Sequence, residues 1–193
     1  CQDNEINWLD WEKIDEAGHE LSGFLRKIAM LRRALPILRR GRFLTAERNE
    51  ELEVKDVTWI NASGAEMADS DWHDSNMRCF GMLIDGRAQT SGIKRPASDV
   101  TLLLVLNAHH DVVNFTLPEF VGGRNWLCLI DTNKPAVDEA ERFKTGDHYQ
   151  VTGRSLLLFA ALTGSEMVRA VQRIAFELSR HEPHFAASAE SPR

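Results

Sequence analysis

The sequence lacks the motifs of phosphate, redox and serine-hydrolase chemistry. It has no glycine-rich phosphate loop, no Cys-x-x-Cys pair and no Gly-x-Ser-x-Gly elbow. No apolar run approaches the roughly 20 residues of a membrane-spanning helix, and no signal-peptide pattern is present. The only cysteines are Cys1, Cys79 and Cys128, and the last two lie in apolar, strand-like runs. We therefore expect free thiols, a cytoplasmic location, no membrane contact and no metal or other cofactor.

Basic residues are also fewer than acidic ones. The 193 residues carry 23 Lys and Arg against 29 Asp and Glu, which gives a formal net charge of -6. This balance argues against nucleic acid as a partner and leaves neutral substrates such as sugars open. The composition, 43% hydrophobic, is that of a globular protein with room for one domain and an appendage.

An amphipathic helix is predicted near the start of the chain. Apolar residues recur there at helical spacing, with Pro36 at the end. They are Leu21, Phe24, Leu25, Ile28, Leu31 and Leu35. The other face of the helix and the residues that follow it are rich in Arg and Lys. This is typical of a solvated or ion-paired helix face, and a phosphate-binding patch is the alternative.

After an acidic connector at 44–56, the pattern changes to short segments in which apolar and polar residues alternate. These segments are 57–60, 77–84, 100–107, 112–117, 125–131 and 155–162. Turn residues separate them, which predicts an antiparallel β-sandwich over residues 57–163. Residues 100–106 are apolar on both faces, so that strand is expected to be central. Helical spacing then predicts a C-terminal helix at 164–181, followed by a disordered tail at 182–193.

Two polar clusters carry residue types used in catalysis or metal binding. His109-His110-Asp111 offers metal-ligand side chains, but it stands between two strands, where a turn is the favoured interpretation. Trp72-His73-Asp74 has Asn76 and Arg78 nearby, but no Ser or Cys nucleophile beside it. We interpret both clusters as structural.

Three tryptophans could offer flat apolar faces on which sugar rings stack. Trp59 and Trp126 lie inside predicted strands, so we expect both in the sandwich core. Trp72 is then the one candidate for an exposed platform. Hydrolysis of a glycosidic bond needs two paired carboxylates, and the sequence alone pairs none of its acids.

Several stretches together carry a family resemblance. They are CQDNEINWLDWE at 1–12, FLRKIAMLRRALPILRRGRF at 24–43, DVTWINASGAEM at 56–67, DWHDSNMRCFGMLIDG at 71–86, LLLVLNAHHDVVNFTLP at 102–118 and GDHYQVTGRSLLLFAAL at 146–162. In this order they resemble the C-terminal portion of bacterial glycogen debranching enzymes of the isoamylase type, in the α-amylase superfamily (glycoside hydrolase family 13).

The resemblance implies that residues 1–43 are the last loop and closing helix of a truncated (β/α)8 barrel, on which the apolar residues of that helix would pack. It implies a mainly β C-terminal sandwich that is structural. The family hydrolyses α-1,6 branch linkages in glycogen-type glucans by a retaining mechanism, with two Asp and one Glu that would lie upstream of Cys1. Asp3 and Asn4 would lie on the catalytic face of the barrel, where they contact glucan or only brace the loop.

The polar, Trp-rich start at Cys1 therefore predicts a fragment that is inactive alone, with an α-glucan as the partner of the full-length enzyme. One alternative is a non-catalytic glucan-binding or interaction module that uses the sandwich and Trp72. Another is a piece of a related enzyme acting on a different α-glucan, such as pullulan or a trehalose precursor.

Overall fold

The computed structural model describes most of the chain. The described residues are 2–8, 13–39, 41, 43–88, 100–134, 141–163, 169 and 176. The predicted tail at 182–193 lies outside them, and so does the predicted helix at 164–181 apart from Arg169 and Phe176, which are helical. Among the described residues, no helix is long and apolar enough to cross a bilayer.

The described elements are mostly strands. The helices are α1 (Glu16–Ala34) and α2 (Asp69–Trp72), with short 3₁₀ helices at Pro36–Arg39 and Gly86–Ala88. The strands are β1 (Arg48–Asn49), β2 (Val54–Lys55), β3 (Val57–Ile60), β4 (Cys79–Asp85), β5 (Thr101–Asn107), β6 (Val113–Thr116), β7 (Gly123–Asp131), β8 (Arg142–Lys144), β9 (His148–Val151) and β10 (Ser155–Thr163).

Ten strands form three antiparallel sheets in the described part of the chain. The large sheet has six strands in the order β3-β4-β5-β10-β7-β8, and two small sheets pair β6 with β9 and β1 with β2. Strand β5 lies inside the large sheet, between β4 and β10, as its two apolar faces predict. The mainly β, antiparallel prediction is confirmed.

One face of the large sheet packs against the small sheet of β6 and β9. Leu103 and Val105 of β5 share a buried cluster with Phe115 of β6 and with Tyr149 and Val151 of β9. Because successive side chains of a strand point to opposite faces, the residues between them lie on the other side of the sheet. The arrangement is consistent with a sandwich, although its second layer has only two strands.

The opposite face of the large sheet is covered by α1 and the residues that follow it. Leu31 and Leu35 pack there on Leu102 of β5 and Leu158 of β10. The Asp15 carboxylate caps the start of α1 by accepting from the Gly18 N–H at 2.8 Å. The predicted amphipathic helix is thus confirmed.

The packing of α1 corrects one expectation drawn from the resemblance. The resemblance implied that Leu31 and Leu35 pack on a barrel, but both are already buried by the sheet, with exposed fractions of 1% and 0%. Leu21, Leu25 and Ile28 form an adjacent stripe on the helix that is 59%, 58% and 37% exposed. Only this second stripe remains uncovered, because the sheet reaches one side of the helix.

Candidate functional site

The structure separates the tryptophans that the sequence placed together in the core. Trp126 is fully buried, and its indole N–H donates to the Pro118 carbonyl at 3.0 Å, as a core position requires. Trp59 is only half-buried, so the prediction that it belongs to the core is wrong. It lies on β3, an edge strand, whose outer side pairs, among the described residues, only with the short segment at Glu66 and Met67.

Trp59 instead belongs to an aromatic cluster with Trp72 and Phe80. Its ring centroid is 5.6 Å from that of Trp72, edge to face, and 5.8 Å from that of Phe80. Trp72 is 54% exposed, as predicted for a platform. The cluster offers a wider exposed aromatic surface than one tryptophan would, and it was missed because Trp59 was assigned to the core.

The polar residues that follow Trp72 are used in local structure. The Nδ1 atom of His73 is 2.8 Å from the Asp69 carbonyl one turn earlier. The Asp74 carboxylate accepts from the Asn76 N–H at 2.8 Å. These contacts agree with the structural interpretation of this cluster. Arg78, the residue before β4, takes no part in them.

His109, His110 and Asp111 form the turn between β5 and β6, as predicted. The Asp111 N–H donates to Nδ1 of His109 at 3.0 Å, and Nε2 of His110 lies 3.1 Å from the Asp111 carboxylate. The two imidazole rings stack with centroids 4.3 Å apart. One ligand atom from each of the three residues lies within 4.8 Å of the others.

Asp3 and Asn4 lie in a turn of the described segment 2–8. The Asp3 carboxylate accepts from the indole N–H of Trp8, and the Asn4 side chain accepts from the Ile6 N–H at 3.2 Å. The Asn4 carbonyl also accepts from the Asn7 N–H at 2.9 Å. Both side chains therefore brace the turn that carries them, which leaves their predicted contact with glucan a prediction.

Three buried carboxylates of the described residues each hold the fold together. Asp56 accepts from two backbone N–H groups of the connector. Asp85 pairs with the Arg87 guanidinium at 2.9 and 2.5 Å. Asp131 accepts from the Tyr149 hydroxyl at 2.7 Å, and burial together with this hydrogen bond raises the pKa of Tyr149. These acids serve structure and do not form a pair across a substrate groove.

Comparison with known proteins decides the family. The family model described as isoamylase, C-terminal, matches residues 56–160, more than half of the 193 residues. The chain belongs to the isoamylase C-terminal family. The match begins at Asp56, the residue before β3, and ends inside β10, so it covers the sandwich. The resemblance inferred from the sequence is confirmed.

Curated relatives agree with this assignment. A glycogen operon protein GlgX homolog of Mycobacterium bovis is 35% identical over 162 residues, 82% of this chain and 22% of that protein. A glycogen debranching enzyme of Cronobacter sakazakii is 34% identical over 144 residues, 70% of this chain and 18% of that protein. The glycogen debranching enzyme of Dickeya chrysanthemi is 33% identical over 119 residues, which are 62% of this chain and 15% of that protein. The chain spans about a fifth of the length of these relatives.

Proposed function

We propose that the chain is the C-terminal part of a glycogen debranching enzyme, which hydrolyses α-1,6 branch linkages in glycogen-type α-glucans with retention at the anomeric carbon. The observation that carries the proposal is the family match over residues 56–160, together with debranching enzymes among the relatives. In this proposal the sandwich is structural, the catalytic Asp, Glu and Asp lie upstream of Cys1, and the chain alone is inactive. Buried, unpaired Cys79 and Cys128 support a cytoplasmic location.

Residues 1–43 are, in this proposal, the last loop and helix of a (β/α)8 barrel, joined by a connector at 44–56 to the sandwich at 57–163. The two apolar stripes of α1 support this division. One stripe, with Leu31, packs on the sheet, while the other, with Leu21 and Leu25, is exposed. A helix with two apolar stripes is suited to lie between two bodies, so the exposed stripe would contact the barrel.

Asp3 and Asn4 would then lie at the glucan-facing end of the barrel, held by the turn of residues 2–8. In the longer protein we expect Asp3→Ala and Asn4→Ala to raise KM for glycogen-type substrates without lowering kcat. Glu5→Ala, an exposed neighbour in the same turn, is the matched control. An unchanged KM in both variants would assign the two residues to bracing of the loop alone.

The reading frame upstream of the Cys1 codon tests the proposal itself. An uninterrupted frame that encodes a barrel with two Asp and one Glu at its strand ends would support a debranching enzyme. A stop codon or an unrelated domain in that place would contradict it.

The aromatic cluster of Trp59, Trp72 and Phe80 favours a second candidate, a glucan-binding module. Aromatic faces stack on the apolar C–H faces of sugar rings, and Trp72 is exposed. Affinity electrophoresis in a glycogen-containing gel separates the two candidates. Retardation that Trp72→Ala abolishes and the control Phe43→Ala, at another exposed aromatic residue, preserves supports binding, whereas no retardation of the chain supports a structural domain.

A further inference from the structure

A basic pocket lies at one end of the large sheet, at residues that the proposed function does not use. It has a volume of about 460 Å³. None of the described residues that line it is acidic; they are Asn76, Arg78, Ala108, His109, His110 and Arg154. This concentration of cationic and hydrogen-bond-donating groups contrasts with the formal net charge of -6 of the chain.

The sheet topology brings these residues together. Arg78 precedes β4 and Arg154 precedes β10, and both strands run antiparallel to β5, whose last residue leads into the turn with His109. The Ala108 N–H donates to the Arg78 carbonyl at 2.8 Å, and the Arg154 N–H donates to the His109 carbonyl at 2.9 Å. The two arginines therefore flank the turn from opposite sides.

Buried Asn107 holds the turn in place. Its amide nitrogen lies within hydrogen-bond distance of the carbonyls of Asp111, Val151 and Thr152, at 3.2, 3.1 and 3.0 Å. Its side-chain oxygen accepts from the His109 N–H at 2.9 Å. The imidazoles thus lie on a turn that is bonded to β9 and to the connection between β9 and β10, so the pocket is built on fixed backbone.

The two guanidinium groups are exposed and have no partner among the described residues. In the part of the chain that the structure describes, neither Arg78 nor Arg154 donates a side-chain hydrogen bond or forms an ion pair. Arg154 also has a φ of 53°, a left-handed conformation that residues other than glycine rarely adopt. Two acidic residues are close in sequence to those that line the pocket, and both carboxylates already have partners. The Asp111 carboxylate contacts His110, and the Asp74 carboxylate accepts from the Asn76 N–H.

The hydrogen bonds of the turn argue against a metal ion at the same residues. Because Nδ1 of His109 accepts from the Asp111 N–H, the proton of the neutral ring is on Nε2, and neither nitrogen offers a free lone pair. The Asp111 carboxylate faces Nε2 of His110. Nε2 of His109 is instead a hydrogen-bond donor, which suits an anion, and two unpaired guanidinium groups repel a cation.

We propose that this pocket binds a phosphate group, with Arg78 and Arg154 as charged clamps and His109 as a further donor. Guanidinium groups match phosphate oxygens in charge and in the geometry of paired N–H donors. The group could arrive as inorganic phosphate or as a phosphate monoester of a sugar, and both present the same oxygens. This inference does not depend on the proposed function, since it uses none of the residues assigned there.

Titration of the full chain with inorganic phosphate and, separately, with glucose 1-phosphate tests the proposal, at constant pH and ionic strength. Isothermal titration calorimetry should detect saturable binding that Arg78→Gln and Arg154→Asn each weaken about tenfold or more. Asn tolerates the left-handed backbone at position 154. Arg142→Gln, on exposed β8, is the matched control and should change the affinity less than twofold. Tighter binding of glucose 1-phosphate than of phosphate would identify the monoester as the ligand.

A second measurement on the unsubstituted chain does not depend on how well the variants fold. Phosphate should shift the ring-proton NMR signals of His109 and His110 and leave those of His73 unchanged. Absence of saturable binding, equal affinities of all three Arg variants, or uniform shifts of every histidine would overturn the proposal. Tight binding of Zn²⁺ at His109 and His110 would overturn it as well.

Discussion

The exposed apolar stripe on α1, formed by Leu21, Leu25 and Ile28, allows a quantitative prediction about the proposed longer protein. The exposed fractions are 59%, 58% and 37%, so about one and a half large side chains remain unburied. At about 1.5–3 kcal/mol per side chain, covering the stripe contributes about 2–5 kcal/mol. Replacing all three residues with Gln, a good helix former, removes that contribution without leaving a cavity in the described fold.

We expect the triple Gln variant to lower the unfolding free energy of the 193-residue chain by at most about 2–4 kcal/mol, because about one and a half of the three side chains are buried there and Gln keeps part of their packing. Binding of a dye that reports exposed apolar surface should fall. In the longer protein the same variant should lose about 2–5 kcal/mol more than in the chain, as measured by urea unfolding. Leu31→Ala, at a position 1% exposed, is the control and should lose about 2–5 kcal/mol in both proteins.

The reasoning is refuted by either of two results. The first is a loss of unfolding free energy that is the same in the 193-residue chain and in the longer protein. The second is a triple variant that leaves the longer protein unchanged.

Three further predictions concern the sandwich. Tyr149→Phe should lower the unfolding free energy by about 1–3 kcal/mol in urea, because it removes a hydrogen bond to a buried carboxylate; no loss would contradict this. Burial raises the pKa of Cys79 from 9.0 to about 11 and of Cys128 to about 12, so unfolding releases protons above pH 9. The free energy of unfolding should therefore fall by about 1 kcal/mol per cysteine between pH 8 and 10, and double Ala substitution should make that slope smaller. Gly153→Ala places a Cβ 2.3 Å from a backbone carbonyl of the β5–β6 turn and should cost about 1–3 kcal/mol, while Gly41→Ala, in open space, should not lower stability in thermal unfolding.

The long elements of this fold are predictable because their apolar patterns repeat several times. The pattern of Leu21 to Leu35 predicts α1, and the apolar run of β5 correctly predicts a central strand. Strands β1, β2 and β8 were missed, since two or three residues are too short for a period of two to appear. Strand β9 was missed as well. Its buried residues Tyr149 and Val151 alternate with exposed neighbours, but this short pattern lies between the turn residues Gly146 and Gly153.

The candidate sites depend on which strands are neighbours, and the sequence pattern does not specify this. Arg78 and Arg154 meet beside one turn only because β4 and β10 both pair with β5. Trp59 was placed in the core because it lies in a strand, yet the position of β3 at the sheet edge leaves it half-buried. Trp72, in contrast, was correctly predicted to be exposed, since it falls outside the alternating segments.

Hydrolysis of branch linkages in a glycogen limit dextrin distinguishes a structural part of a debranching enzyme from a chain that is itself catalytic. The release of reducing ends is measured for the 193-residue chain and for the proposed longer protein that contains it, at equal molar concentration. We expect release by the longer protein and none by the chain. Branch hydrolysis by the chain itself, or a longer protein that releases no reducing ends, would contradict it.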